Sequence, residues 1–189
     1  MRRYTILALA AAVATVSTIS GCGATWRAFG VPYGHTEETQ LPPRTVDLRL
    51  LAANRLNSGN GGPPLSLVAR VYTLRNAEAF ERMPYAAFTN AHTEREMLGT
   101  DLLDVKEVLL IPGQRHEVRE KVTREAGFIG VVALFRAPDS QRWRAAFPAA
   151  DAEKAGITIG LHGCALTVDA GAAARQRQLA RPLSEAHCG

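Results

Sequence analysis

The chain has 189 residues, 47% of them hydrophobic, which is enough to bury a substantial core in one domain. Its formal net charge of +4 overstates its basic character, because residues 1–21 contain two of the 22 basic residues and none of the 18 acidic ones, which leaves 20 against 18. No basic cluster is interleaved with aromatic residues, so we exclude nucleic acid as a partner.

The N-terminus has the order of parts that is typical of a secretory signal. Arg2 and Arg3 form a positively charged start, and residues 4–19 are an uncharged run dominated by Ala, Val, Leu and Ile. This run is shorter than the roughly 20 apolar residues that a membrane-spanning helix needs. We therefore predict a signal peptide at residues 1–21 rather than a stable transmembrane anchor.

A four-residue motif ends this segment. Ile19, Ser20, Gly21 and Cys22 are an aliphatic residue, two small residues and a cysteine, an order that resembles the lipobox of bacterial lipoproteins. We predict that Cys22 is the first mature residue and carries a diacylglyceryl group, since two or more acyl chains make a durable anchor. Lipoproteins retained in the inner membrane typically have Asp at the next position, so Gly23 implies the outer membrane by resemblance. The alternative is a soluble secreted protein with an incidental cysteine.

The mature chain divides into a tether, a strand-rich domain and a tail. Residues 22–44 form the lipidated N-terminus and a flexible tether without periodicity, residues 45–169 form the domain, and residues 170–189 form a frayed helix or tail. Within the domain, apolar and polar residues alternate with a period of two, which is the signal of β-strands. The predicted strands cover residues 46–50, 65–74, 105–111, 114–122, 128–135, 142–147, 157–161 and 164–168.

A short helical insertion interrupts these strands. Asn76 is a predicted N-cap of a helix that reaches Met83, and residues 85–90 are predicted to form another helical turn. Thr93 and Glu96 have the spacing of a capping box. Eight short strands with frequent turns and one helical insertion predict an all-β fold, namely a β-sandwich, with a lipocalin-like barrel as the alternative.

Two cysteines remain when Cys22 is lipidated. In an oxidising compartment, Cys164 and Cys188 are candidates for a disulfide, which would close a loop of roughly 25 residues and contribute about 3 kcal/mol. The alternative is a buried Cys164 and a free terminal thiol at Cys188. His162 and His187 could complete a zinc site with these sulfurs, but Gly163 interrupts the strand that would orient His162, and we predict no metal.

The sequence lacks the usual signatures of catalysis. It has no Gly-x-Ser-x-Gly elbow, no Cys-x-x-Cys, no phosphate-binding glycine loop before a helix and no His-Glu-x-x-His. We therefore expect no enzymatic activity, no cofactor and no small-molecule substrate. Trp143 lies between two arginines, but aromatic residues at period-two spacing are more often core residues than ligand platforms.

Several segments have an order and spacing that are together more specific than each alone: the lipobox, a strand, an Asn/Gly/Pro loop, residues 64–74, Ala79-Phe80 in a helix, residues 98–103, 110–113 and 128–136, and Trp143-Arg144. Over about residues 22–168 the chain resembles the type VI secretion lipoprotein family (TssJ-type, also called VasD-like). The resemblance implies a transthyretin-like sandwich of two four-stranded antiparallel sheets with an added helical element. The tail after Asp169 extends beyond the family pattern.

The resemblance also implies a role in assembly. Such a lipoprotein sits on the periplasmic face of the outer membrane and holds a TssM-type inner-membrane protein, which with a TssL-type partner forms an envelope-spanning complex. The loop between the first two strands, here residues 54–64, is the implied contact, with Arg55, Leu56 and Asn57 as favoured side-chain anchors. The alternative function is a lipid-anchored sandwich or barrel that binds a small hydrophobic ligand in a pocket of several hundred Å³. The implied partner-binding residues are Asn54, Arg55, Leu56, Asn57, Ser58, Gly59, Asn60, Gly61 and Gly62.

Overall fold

The computed structural model describes residues 41–176, 179 and 183–189. Residues 1–40, which include the predicted signal peptide, Cys22, Gly23 and most of the predicted tether, lie outside the described residues. Within them, no helix is both long and apolar enough to cross a bilayer. The strands are β1 (Arg44–Ala52), β2 (Leu67–Leu74), β3 (Leu102–Leu110), β4 (Arg115–Val122), β5 (Phe128–Ala133), β6 (Arg144–Pro148), β7 (Ile157–Leu161) and β8 (Leu166–Gly171).

Two four-stranded sheets face each other, which confirms the predicted sandwich rather than the barrel. The first sheet has the order β4-β1-β7-β8, and the second has the order β3-β2-β5-β6. The prediction of antiparallel sheets needs one correction, because β1 and β7 run parallel. Parallel neighbours need a long crossover. Here the chain between β1 and β7 forms all four strands of the second sheet.

The alternation in β1 shows how the sequence specifies the core. Val46, Leu48 and Leu50 are at most 2% exposed, whereas Asp47 and Arg49 between them are exposed. Side chains of successive strand residues point to opposite faces, so the apolar set lines the space between the sheets. The polar set is left on the outer face of the first sheet, where Arg119 pairs with Asp47 at 3.0 Å.

The outer face of the second sheet is covered by three short helices, α1 (Glu78–Arg82), α2 (Tyr85–Phe88) and α3 (Ala91–Leu98). Asn90 caps α3 by accepting hydrogen bonds from the backbone N–H groups of His92 and Thr93. The capping box predicted at Thr93 and Glu96 is therefore wrong, because α3 starts before Thr93. The N-cap position of α1 is Ala77 rather than Asn76, although Oδ1 of Asn76 accepts a hydrogen bond of 3.4 Å from the N–H of Glu78 in the first turn.

Aromatic packing fixes these helices on the sheet. The rings of Tyr72, Phe80 and Phe88 are fully buried, and their centroids lie 5.3 to 5.9 Å apart. Phe80 packs over Gly130 of β5 so closely that a Cβ there would lie 2.7 Å from its ring. Trp143 is 5% exposed and meets Tyr85 and Phe88 edge-on, so it packs in this cluster.

A buried carboxylate joins α3 to β2. Glu94 is 4% exposed, accepts a hydrogen bond of 2.5 Å from the hydroxyl of Tyr72 and forms an ion pair of 2.7 Å with Arg70. Arg70 also donates to the carbonyl oxygen of Phe88 and pairs with Glu107. Burial, followed by the neighbouring Glu94 carboxylate, raises the pKa of Tyr72 well above its usual range, so the phenol stays protonated and continues to donate.

A fourth helix, α4 (Ala149–Ala155), connects β6 to β7 and was not predicted from the sequence. Its buried residues are Ala149 and Ala152. Because alanines mark its inner face, no contrast between large apolar and polar residues marks it in the sequence.

The strands also define two ends of the sandwich. The odd-numbered strands run toward one end, and the even-numbered strands run back from it. Four connections between strands therefore lie at that end: residues 53–66, 111–114, 134–143 and 162–165. We call it the loop end. The N-terminal end of β1, at Arg44, lies at the opposite end.

Candidate functional site

The β1–β2 loop (residues 53–66) has a buried base. Leu56 is fully buried, Asn57 is 6% exposed and Ser58 is 2% exposed. The predicted roles of Leu56 and Asn57 as anchors for a partner therefore need correction: Leu56 packs into the hydrophobic core, and the side chain of Asn57 is occupied within the chain. An apolar residue flanked by polar ones does not by itself reveal that it faces inward.

Asn57 organises the loop through both its backbone and its amide. Its N–H donates to the carbonyl oxygen of His162 at 2.9 Å, its Oδ1 accepts from the N–H of Arg136 at 2.7 Å, and its Nδ2 donates to the carbonyl oxygen of Ser66 at 2.9 Å. Its φ of 50° lies in the left-handed region, which Asn tolerates better than most residues. The side chain of Asn57 thus connects the first part of the loop to its last residue, Ser66, and to the 134–143 connection.

The predicted partner-binding residues on either side of this buried base form the outward part of the loop. Of these, Asn54, Arg55, Asn60 and Gly61 are exposed, while Gly59 and Gly62 are half-buried. At Gly62, a Cβ would lie 2.7 Å from Nη2 of Arg136 and 2.9 Å from the carbonyl oxygen of Ser58. Arg136 donates from that Nη2 to the same carbonyl, so glycine lets the loop fold over this hydrogen bond. Of the three favoured anchors, Arg55 alone presents its side chain to solvent.

Three apolar side chains are exposed at the loop end, and we call them the loop-end patch: Leu65 (37% exposed) within the loop, and Leu109 (63%) and Ile111 (58%) at the end of β3. Leu109 pairs with Val68 near the start of β2, and Ile111 directly follows β3. The turn at 111–114 contacts the loop, since the N–H of Gly113 donates to the carbonyl oxygen of Ala53 at 3.3 Å.

The patch was not identified from the sequence, although a signal was present. Residues 108–111 are four consecutive apolar residues at the end of a strand, and an alternating strand with one buried face leaves two of them on its other face. The structure buries Leu110, half-buries Val108 and exposes Leu109 and Ile111.

At the same end, Cys164 and Cys188 form a disulfide with a Cα–Cα distance of 5.5 Å. Both sulfurs are thereby occupied, and no group of three metal-binding side chains occurs among the described residues. His162, one of the two histidines considered for zinc, lies 3.1 Å from the hydroxyl of Thr167, which in turn donates to Asp169. Burial lowers the pKa of His162 despite the nearby Asp169, which favours its neutral form.

Asp139 fastens the C-terminal residues beside the disulfide. Its carboxylate accepts hydrogen bonds from the backbone N–H groups of Gln141, Arg142 and His187 at 2.9 to 3.0 Å. Burial alone would raise the pKa of Asp139, but these hydrogen bonds outweigh it and hold the pKa below its ordinary value. Asp139 also forms an isolated antiparallel bridge with Cys188.

The space between the sheets is nearly filled. A cavity lined by Leu48, Val71, Ile129 and residues around them has a volume of about 10 Å³. A site for a drug-sized ligand needs several hundred Å³. The core therefore has no room for the small hydrophobic ligand of the alternative function.

Comparisons with known proteins agree with this arrangement. The family model described as type VI secretion lipoprotein (VasD, EvfM, TssJ) matches residues 44–164. The lipoprotein TssJ1 from Pseudomonas aeruginosa is 30% identical, with a TM-score of 0.62, and the match covers 70% of this chain and 99% of that one. A comparison with curated protein sequences gave no match.

Two further solved structures are similar. A chain of a structure described as a type VI membrane complex is 29% identical, with a TM-score of 0.61 and coverage of 67% of this chain and 98% of that one. A chain of a structure described as the T6SS protein TssM C-terminal domain from EAEC is 28% identical, with a TM-score of 0.57 and coverage of 67% and 98%.

Proposed function

The chain belongs to the type VI secretion lipoprotein family, and from this we propose that it anchors the secretion system's envelope-spanning complex to the outer membrane. In this proposal, acylated Cys22 holds the chain to the periplasmic face of that membrane. The loop end of the sandwich binds the periplasmic part of a TssM-type inner-membrane protein. The family is a structural component of the secretion system and not an enzyme family.

The observation that carries the proposal is the separation of the two attachment points. The tether enters β1 at Arg44, and β1 runs to Ala52 before the loop begins. Nine strand residues span about 30 Å, so the loop lies at the end of the domain opposite to the point where the chain enters it. A protein that links a membrane to a partner protein needs its anchor and its binding surface at separate places on the domain.

The surface at the loop end supports the same role. Arg55 and the loop-end patch expose one charged and three apolar side chains at the end of the domain where the base of the loop is packed into the core. Exposed apolar groups framed by polar residues mark protein interfaces more often than chance. The described TssM structure among the similar structures makes a TssM-type protein the leading partner.

The membrane assignment rests on residues outside those described. Cys22 is proposed as the lipidation site because it ends a lipobox, and Gly23 favours the outer membrane by resemblance. Family members are membrane-bound lipoproteins.

The partner surface is tested by changing the patch without disturbing the fold. We expect the double variant Leu109→Asp, Ile111→Asp to weaken binding of the purified periplasmic domain of a TssM-type protein from the same genome at least tenfold in calorimetry. Burying two unpaired carboxylates in an interface is unfavourable. The matched control is Met97→Asp, since Met97 is 45% exposed on α3. Equal binding by the double variant and the control would remove the patch from the interface.

The anchor is tested separately. Residues 1–21 are exchanged for a secretory signal that is cleaved without lipidation, and Cys22 is replaced by Ser. We expect this chain to fold and bind the TssM-type domain with unchanged affinity but to leave the outer-membrane fraction. Retention in that fraction would show that Cys22 is not the anchor.

A further inference from the structure

We infer that the C-terminal segment (residues 183–189), bonded through Cys188 to Cys164, positions the β1–β2 loop for its partner. This inference rests on the proposed function, because it concerns the same binding surface. It assigns a role to the part of the chain that lies beyond the segment matched by the family model, which ends at residue 164.

The disulfide joins the C-terminal segment to the turn between β7 and β8. Cys164 is 4% exposed, and its carbonyl oxygen accepts a hydrogen bond of 2.9 Å from the N–H of Asp139. Asp139 in turn binds the N–H of His187, and the carbonyl oxygen of Pro138 accepts from the N–H of Gly189. Two turns of the loop end, 162–165 and 136–141, are thus fastened to the same C-terminal residues.

These two turns are the ones that hold the β1–β2 loop. The 162–165 turn accepts hydrogen bonds from the N–H groups of Asn57 and Gly59, to the carbonyl oxygens of His162 and Gly163 at 2.9 and 3.0 Å. On the other side, Arg136 donates from its N–H to Asn57 and from its guanidinium to the carbonyl oxygen of Ser58. The loop therefore lies between two turns whose spacing the C-terminal segment sets.

A direct contact completes the connection. Nδ2 of Asn60, in the outward part of the loop, donates to the carbonyl oxygen of Cys188 at 3.3 Å. The loop also packs closely on this turn, because a Cβ at Gly163 would lie 3.1 Å from the hydroxyl of Ser58. Without the disulfide, Asn60 loses an acceptor of fixed position, and the turn under Ser58 loses its covalent connection.

This arrangement matters for affinity because a loop that is ordered before binding does not lose conformational freedom on binding. We expect the variant Cys164→Ala, Cys188→Ala to bind the periplasmic domain of the TssM-type protein roughly tenfold more weakly. We also expect its Asn57 and Gly59 amides to exchange hydrogen faster than those of the unaltered chain. This increase in exchange rate should be larger than any increase at the amides of β1 and β7.

The control separates positioning from general stability. Met83 is 1% exposed at the C-terminal end of α1, and Met83→Ala removes buried apolar volume there while leaving the disulfide and the hydrogen-bonding groups of the β1–β2 loop in place. We expect this variant to lose stability yet to bind the TssM-type domain within twofold of the unaltered chain and to keep the protection of Asn57 and Gly59.

The inference fails if the double cysteine variant binds like the unaltered chain, or if its Asn57 and Gly59 amides stay equally protected. If the unaltered chain itself does not bind the TssM-type domain, the proposed function fails, and hydrogen exchange alone decides whether the C-terminal segment positions the loop. The two failures are therefore distinguishable.

Discussion

The two connections that flank β2 are held by different interactions. The helices α1–α3, after β2, are fixed by the fully buried rings of Tyr72, Phe80 and Phe88 and by the buried carboxylate of Glu94. The β1–β2 loop, before it, has a single large apolar residue in the core, Leu56. Its other described attachments include hydrogen bonds to the connections at 111–114, 134–143 and 162–165 and to the carbonyl oxygen of Cys188.

This difference separates stability from binding. Large apolar burial contributes most of the free energy of folding, so changes in the helical insertion should act on the whole domain. A loop held by hydrogen bonds contributes less to folding, yet it presents the exposed groups that a partner meets. Changes at its base should therefore act more on binding than on unfolding.

The largest effect is expected in the helical insertion. Phe88→Ala should lower the free energy of unfolding by about 3–5 kcal/mol, because it leaves a cavity among Tyr72, Phe80 and Trp143. Urea titration followed by circular dichroism measures the change. A loss below about 1 kcal/mol would mean that the insertion is not part of the cooperative core.

An intermediate effect is expected at the buried carboxylate. Glu94→Gln should lower the free energy of unfolding by about 2–3 kcal/mol, since Arg70 and Tyr72 lose a charged acceptor in a buried site. Glu107→Gln is the matched control, because Glu107 pairs with the same Arg70 but its side chain is 56% exposed; it should change stability by about 0.5 kcal/mol or less. Equal effects of the two variants would contradict this interpretation of the cluster.

The smallest effect on stability is expected in the loop. Asn57→Gly keeps a residue that tolerates the positive φ and removes two side-chain hydrogen bonds, so it should lower the free energy of unfolding by about 1–2 kcal/mol. Its effect on affinity for the TssM-type domain should exceed that of Asn54→Gly, whose exposed side chain does not hold the base. A larger loss of stability than for Phe88→Ala would reverse the comparison between the two connections.

Much of the fold follows from local patterns in the sequence. The alternation of Val46, Leu48 and Leu50 with Asp47 and Arg49 specified a strand with one buried face, and the structure has it. The sandwich and the family were predicted as well, because the strand spacing and the order of segments are properties of the sequence itself.

Other features depend on contacts between distant residues. Whether Leu56 faces the core depends on the turns at 136 and 162 that close around it, and these are far away in the chain. The parallel pairing of β1 with β7 likewise depends on which strands meet, not on their composition. Residues 108–111 did carry a local signal of an exposed apolar face, but which of them are exposed depends on the packing of β3 against the core, which buries Leu110.

The placement of β1 has a mechanical consequence. If Cys22 is fixed in a membrane and a partner pulls on the loop, tension enters β1 at Arg44 and leaves it at Ala52. β1 pairs with β4 over eight residues on one side and with β7 over five on the other. A force along the strand loads these hydrogen bonds in shear and together, whereas a force across it would open them one after another. The domain is therefore oriented to resist extension along its own long strand, with the rate of forced unfolding set by the barrier to breaking these bonds together.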